Sequence, residues 1–479
     1  MAEYLPELIA GALSLLYLFG IVAAINALLT ARTPQGAIAW SLFLILFPVL
    51  GLPIYLIFGD RKFSGYVNAR RNDNLPLQRA LQEAVAELPS TIVAEFSPEE
   101  SDYVVFEKLA YMPFLAHNHG RLLINGEETF EAIFNGIKIA REYLLVQFFI
   151  VKEDELGRKL QQALIAKAKQ GIKVYFLYDA VGSHALSSSY IKEMKAAGIK
   201  ASPFSGSSHG GGHIFRINFR NHRKIVVVDG HTAYVGGLNV GDEYMGRDPK
   251  FSPWRDTAVK LEGPVVIQLQ ATILADWYWA TRQIPQLNWQ PEAADGDYVK
   301  AMIVPFAPSQ RHETASLFFV TALNSAQERI WLSAPYFVPD EAVIKALELA
   351  ALRGVDVRII TTGTPDSWPV YLAAFSYIDY LRDMGIRIYS YEPGFLHEKV
   401  MLIDDDYSTV GTPNFDNRSF RLNFEVTSLI VDKAFNKEME VMFEADFAHA
   451  VPINADDLEK KPFWWRLAVS ISRLASPVL

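Results

Sequence analysis

The chain contains no cysteine. Disulfides, thiolate metal sites and cysteine nucleophiles are therefore excluded. Charge is missing from two long stretches near the start, Leu8 to Ala31 and Thr33 to Gly59. A basic excess is missing too: 45 Lys and Arg face 54 Asp and Glu, a net charge of −9. That balance argues against a general nucleic-acid binder, whose surface is ordinarily basic. Neither a Walker nor a Rossmann glycine pattern occurs, so no nucleotide cofactor is expected. What is plentiful is apolar: half of the 479 residues are hydrophobic. That fraction supports a large core and excludes an intrinsically disordered chain.

Each uncharged stretch exceeds the roughly 20 residues a helix needs to cross a bilayer. Between them lies Ala31-Arg32-Thr33-Pro34-Gln35-Gly36, a turn composition. Residues 1–60 thus read as a helical hairpin with two transmembrane spans. Arg61, Lys62, Arg70 and Arg71 follow the second stretch, against Arg32 alone in the turn. By the positive-inside rule the C-terminal bulk is cytoplasmic, and two spans return the N-terminus to the same side. At the other end, residues 456–479 form an amphipathic segment. Phe463, Leu467, Ile471 and Leu474 share one helical face, Arg466, Ser470 and Arg473 another. An interfacial anchor and a helix packed on the protein fit this pattern equally.

The remainder alternates strands and helices, an α/β pattern, and does so twice. Tyr143–Ile150, Glu155–Gln170 and Lys173–Ala180 read as strand, helix and strand; so do Arg329–Phe337, Glu341–Arg353 and Asp356–Thr361. Gly171, Gly198, Gly354 and Gly385 each stand where a helix ends before a strand, the usual place for a left-handed residue. The expected division is a juxtamembrane linker at 61–110, a first domain at 111–292 and a second at 293–455.

The duplication is sharpest in the next segment. His222-x-Lys224 is followed after four residues by Asp229 and after six more by Gly236-Gly237-Leu238-Asn239. His397-x-Lys399 is followed at the same spacings by Asp404 and by Gly411-Thr412-Pro413-Asn414. Five identities at identical spacing, at equivalent places in two α/β halves, exclude coincidence. A carboxylate follows each motif: Asp256 lies 34 residues after His222, Glu425 28 residues after His397.

Both motifs read as strand openings, so His and Lys two apart project to one face. An imidazole beside an ammonium suits a phosphate ester. The lysine neutralises phosphate oxygen while the imidazole attacks phosphorus or moves a proton. Asn239 and Asn414 can add amide hydrogen bonds to phosphate oxygen. Asp256 and Glu425 can orient the histidines from the far ring nitrogen. Two motifs supply two histidines for one pseudo-symmetric site between the halves. Either histidine could be the nucleophile and the other the general acid. Two lysines and two asparagines take the electrostatic place of a metal, so neither metal nor cofactor is expected.

These residues resemble the phospholipase D superfamily, whose signature is this duplicated HxKxxxxD motif. Asn221-His222-Arg223-Lys224, Trp254-Arg255-Asp256, Ala334-Pro335-Tyr336-Phe337-Val338-Pro339-Asp340 and Asn414-Phe415-Asp416-Asn417-Arg418-Ser419 are similar to its bacterial cardiolipin synthase branch. So is the apolar hairpin with Ala39-Trp40 and Pro48-Val49-Leu50-Gly51. The stretch Val304-Pro305-Phe306-Ala307-Pro308-Ser309 departs from the Ser-Gly-Pro sequence the branch tends to carry there. The resemblance implies two phospholipase D-like domains sharing one active site behind the transmembrane hairpin. It implies a bacterial inner-membrane, multi-pass enzyme with cytoplasmic catalytic domains. It implies transfer of a phosphatidyl group between two phosphatidylglycerol molecules, giving cardiolipin and glycerol through a phosphatidyl-histidine. By the same analogy His222 is the nucleophile and His397 the acid and base. Lys224 and Lys399 complete the catalytic set, with Asp229 and Asp404 positioning structure around it.

Other signals carry less. Gly206-Ser207-Ser208-His209-Gly210 fits a nucleophile-elbow pattern but lies in a glycine/serine loop at Ser205–His213, without the strand and helix an elbow needs. His117 and His119 lack neighbouring carboxylates in sequence.

Overall fold

A computed structural model describes residues 4–31, 33–59, 89–97, 102–204, 219–296, 298–310, 312–454 and 460–479. Arg32, the basic residues from Arg61 to Arg71, and the Ser205–His213 loop lie outside the described residues.

One continuous sheet runs through both halves. From its edge, the first half contributes Lys200–Phe204, Lys173–Asp179, Tyr143–Phe148, Ile225–Val228, Thr232–Gly236, Thr257–Glu262 and Leu115–Ile124, in that spatial order. The second contributes Arg387–Tyr391, Asp356–Thr362, Arg329–Ser333, Val400–Ile403, Tyr407–Gly411, Asn423–Val431 and Val299–Phe306. The same seven-strand order thus occurs twice, a pseudo-two-fold repeat. The innermost strands, Leu115–Ile124 and Val299–Phe306, pair antiparallel and weld the halves together. The short strand Ala450–Pro452 extends the second edge.

Local chemistry explains the repeat. The three outer strands of each half are parallel, which requires helical crossovers. Asp154, Ser187 and Asp340 cap the crossover helices Glu155–Lys169, Ser188–Ala196 and Glu341–Leu352 through their side-chain oxygens. Gly171, Gly198, Gly354 and Gly385 end the crossovers at φ of +88°, +93°, +87° and +89°. Covered on both faces, the motif strands Ile225–Val228 and Val400–Ile403 are buried throughout and uniformly apolar.

Two sequence expectations need correction. The motif strands begin after the lysine, so His222–Lys224 and His397–Lys399 precede the ladder instead of opening it. Their backbones pair across the molecule, as described below. Nor is the second uncharged stretch one continuous helix. Only Glu7–Thr30 forms, among the described residues, a helix long and apolar enough to cross a membrane. Thr33–Gly59 instead forms helices Pro34–Leu46 and Pro48–Phe58, broken at Phe47 (φ −133°, ψ 57°). Pro48 has no N–H to continue the first helix.

The helix Phe463–Leu474 packs on Trp368–Asp383 through Trp465, whose ring meets Trp368 and Phe375. Phe463, Trp464, Leu467, Ile471 and Leu474 remain exposed along it. Both sequence readings of this segment therefore describe part of it: one face packs, the other is open and apolar.

Candidate active site

Two short parallel pairings across the halves build the site. Arg220–Asn221 pairs with Asn423–Phe424, so the next register position sets His222 beside Glu425. Phe395–Leu396 pairs with Trp254–Arg255, which sets His397 beside Asp256. The backbone continues the match: His222 N–H donates to the Phe424 carbonyl at 2.9 Å, and His397 N–H to the Arg255 carbonyl at 2.8 Å. Side chains follow. His222 Nδ1 lies 2.9 Å from Glu425 Oε2, and His397 Nδ1 lies 2.8 Å from Asp256 Oδ2. Each histidine thus takes its carboxylate from the other half. With Nδ1–H donated to the carboxylate, Nε2 of each ring carries the free lone pair.

The carboxylates are themselves held. Glu425 accepts from the Thr412 hydroxyl at 2.6 Å and from the Asn423 amide at 3.0 Å. Asp256 accepts from the Thr257 N–H at 2.8 Å and lies against Gly237. A Cβ on Gly237 would sit 2.1 Å from Asp256 Oδ1, so any side chain here must displace that carboxylate. Thr412 occupies the equivalent place in the second motif, where a longer Glu leaves room for a hydroxyl.

Burial governs the electrostatics. His222 and His397 are almost wholly enclosed. Desolvation pushes His222 down to about 4, against the pull of Glu425 and aided by Lys224. Desolvation and Lys399 push His397 down to about 3, against Asp256. Both rings are neutral at physiological pH in the ligand-free protein. Burial lowers Lys399 to about 8 and Lys224 well below its ordinary value, with Glu425 and Asp256 opposing in each case. Burial raises Glu425, but the His222 ring and Lys224 outweigh it and hold the carboxyl below its usual range. Each histidine feels both lysines, so the four side chains form one electrostatic unit. A phosphodiester anion would supply the negative charge this unit lacks and raise all four groups.

Further pairs lock the seam. Arg223, between His222 and Lys224, donates from Nη1 to both carboxylate oxygens of Asp276, and from Nε and Nη2 to the carbonyls of Glu425 and Phe306. Its counterpart Glu398 pairs with Arg255 at 2.9 Å, and Arg255 also meets Asp446. Charge is reversed between the motifs, but each centre residue ties one half to the other.

The remaining expected residues divide. Asn239 donates one amide N–H to the Tyr244 hydroxyl and accepts from the Ile150 N–H. The side-chain oxygen of Asn414 is buried with no hydrogen-bond partner among the described residues. Asp229 and Asp404, expected with the motifs to position structure around the site, bind backbone and not the catalytic side chains. They end the motif strands at φ of +52° and +49°. Asp229 accepts from the N–H groups of Arg141, Glu142 and Tyr143, and Asp404 from those of Gln327, Glu328 and Arg329. Each fixes the entry to the neighbouring strand, Tyr143–Phe148 or Arg329–Ser333, which runs antiparallel to the motif strand. Sequence reasoning missed Thr412, Asn423, Gly237 and Asp276. Gly237 and Thr412 were findable, standing inside the repeated motif; Asp276, on the buried helix Val266–Thr281, carried no signal.

Asp256→Asn and Glu425→Gln should lower turnover on the order of 10²- to 10³-fold, less than loss of a histidine. Gly237→Ala should match Asp256→Asn, because its methyl displaces the same carboxylate. Steady-state rates on lipid vesicles check this; wild-type rates for both carboxylate variants would remove the orienting role.

Two enclosed histidine–lysine pairs on a duplicated sheet, each histidine held by the opposite half, define a two-domain enzyme of the phospholipase D type. A family profile described as "Cardiolipin synthase, PLD-like domain" matches residues 133–269 and 319–447, and one described as "Phospholipase_D-nuclease N-terminal" matches 15–59. The chain is 46% identical to cardiolipin synthase A of Pseudomonas fluorescens over 476 residues, 99% of each chain. It is 47% identical to a Pseudomonas putida cardiolipin synthase A over 485 aligned positions, 100% of each. In fold it is similar to the phosphatidylserine synthase of Haemophilus influenzae, with a TM-score of 0.59 at 15% identity, over 79% of this chain and 100% of that one. The chain belongs to the cardiolipin synthase family, phosphatidyltransferases of the phospholipase D superfamily.

Proposed function

We propose that this enzyme joins two phosphatidylglycerol molecules into cardiolipin, releasing glycerol. The observation that carries the reading is the pair of enclosed imidazoles, each with Nδ1 held by a carboxylate of the opposite half. Nε2 of His222 attacks the phosphorus of the first lipid while Lys224, Lys399 and the amides of Asn239 and Asn414 take up charge on the phosphate oxygens. His397, protonated once the anion is bound, gives its proton to the departing glycerol oxygen. A phosphatidyl-histidine remains. His397 then removes the proton from the hydroxyl of the second phosphatidylglycerol, which attacks phosphorus and frees His222. Asp229 and Asp404 act only through the backbone they hold.

The protein is membrane-associated. We place it in the bacterial inner membrane with the catalytic halves cytoplasmic, supported by the basic residues Arg61, Lys62, Arg70 and Arg71 after the apolar region. The open apolar face of Phe463–Leu474, flanked by Lys460, Lys461, Arg466 and Arg473, supports a second contact with the same surface. We place the first catalytic domain at 111–292 and the second at 293–455.

Exchange of one phosphodiester for another changes free energy little. Vesicles of phosphatidylglycerol alone should therefore support synthesis. Added glycerol should lower the final yield, and cardiolipin with glycerol should regenerate phosphatidylglycerol. Strong chelation should leave the rate intact. A requirement for a nucleotide-activated lipid, or activity lost to chelation and restored by metal, would contradict this reading.

A further inference from the structure

The broken second helix redraws the path of the chain through the bilayer. Pro34–Leu46 and Pro48–Phe58 have 13 and 11 residues, about 20 and 16 Å at 1.5 Å per residue. Neither crosses a hydrocarbon core of about 30 Å. They do not add end to end either. The rings of Trp40 and Tyr55, one on each helix, lie 5.1 Å apart. In one straight helix those 15 positions would separate them by about 22 Å. The second helix therefore folds back along the first.

Contacts with the long helix Leu5–Thr30 fix the depth of this hairpin. At its tip, Leu44 and Pro48 cross Gly20, where an added Cβ would sit 2.7 Å from the Leu44 carbonyl oxygen. Gly20 is ten residues, about 15 Å, below the Thr30 end, near mid-membrane. On the return, the Tyr55 hydroxyl donates to Asn26 Oδ1 at 2.7 Å, only about 6 Å below Thr30. Phe58 thus leaves the membrane on the side where Pro34 entered. The tip residues Phe47, Val49 and Leu50 are 57–61% exposed, an apolar wedge suited to lipid.

We propose that the anchor crosses the bilayer once, through Leu5–Thr30, and that Pro34–Phe58 is a re-entrant hairpin inserted from the catalytic side. The N-terminus then lies on the opposite face from the catalytic halves. Charge supports this independently. Residues 1–31 contain Glu3 and Glu7 and no Lys or Arg. Arg32 joins Arg61, Lys62, Arg70 and Arg71 on one side, instead of standing alone on the wrong one. The inference rests on membrane insertion of the first sixty residues and changes the route within it.

The chain has no cysteine, so single-cysteine variants of the full-length protein report cleanly. In spheroplasts, a membrane-impermeant maleimide should label Ala2→Cys directly, and Gln35→Cys and Lys169→Cys only after permeabilisation. External labelling of Gln35→Cys, or labelling of Ala2→Cys only after permeabilisation, would overturn the route. Alkaline carbonate extraction of the same samples separates this from failure of the membrane reading, since a released protein would overturn insertion itself. A second measurement is independent of sidedness. Ala39 and Leu56 are exposed neighbours of the Trp40–Tyr55 contact. Spin labels at Ala39→Cys and Leu56→Cys should show strong dipolar coupling in bilayers; a separation of about 25 Å, that of a straight helix, would overturn the hairpin.

Discussion

His222→Ala and His397→Ala are each expected to reduce cardiolipin formation about 10⁴-fold or more, to background. The size follows from the crossed geometry. One histidine must bond to phosphorus and the other must move a proton, and among the described residues only these two histidines are held by a carboxylate of the opposite half. The loss should not reflect unfolding, because Glu425 keeps Thr412 and Asn423 when His222 is removed, and Asp256 keeps the Thr257 N–H when His397 is removed. Thermal melting of both variants checks that. Rapid denaturation of a reaction with labelled phosphatidylglycerol should trap acid-labile phosphate on His222. Label on His397 would exchange the two roles, and near-normal synthesis by either variant would exclude that histidine from the chemistry.

Lys224→Met and Lys399→Met should each cost on the order of 10³-fold, because each removes a preorganised cation from a water-poor site where phosphate charge develops. Lys399 adds a pH signature. Its value of about 8 is depressed, so the ammonium is lost as pH rises through that value in the free enzyme. kcat/KM should therefore fall on the alkaline side near pH 8. Lys399→Arg, whose guanidinium stays charged, should turn over more slowly and lose that alkaline limb. A limb unchanged in Lys399→Arg would assign it to another group.

What was legible in the sequence was whatever repeats at fixed spacing. The two motifs announced a duplicated sheet and one shared site, and the helix-ending glycines marked the crossovers. What was hidden depends on partners distant in sequence. Glu425 serves His222 across 203 positions and Asp256 serves His397 across 141, so proximity within one half suggests the wrong pairing. Asp229 and Asp404 repeat as strictly as the histidines, yet they bind backbone amides; spacing reports conservation of geometry between copies, not closeness to the chemistry. The break in the apolar hairpin was hidden for another reason. Hydropathy measures how long a stretch stays uncharged, whereas the break at Phe47 comes from Pro48 and from the fit of Gly20 beneath it.

Hydrolysis and transfer share every step up to the phosphatidyl-histidine, and differ in whether water or a lipid hydroxyl reaches it. Phosphatidylglycerol labelled separately in its glycerol head group and its acyl chains, incubated in vesicles with the purified full-length enzyme, distinguishes them directly. Cardiolipin and free glycerol should appear in equal amounts, with acyl label in cardiolipin. Phosphatidic acid accumulating with the glycerol, and no cardiolipin, would contradict the assignment as a phosphatidyltransferase.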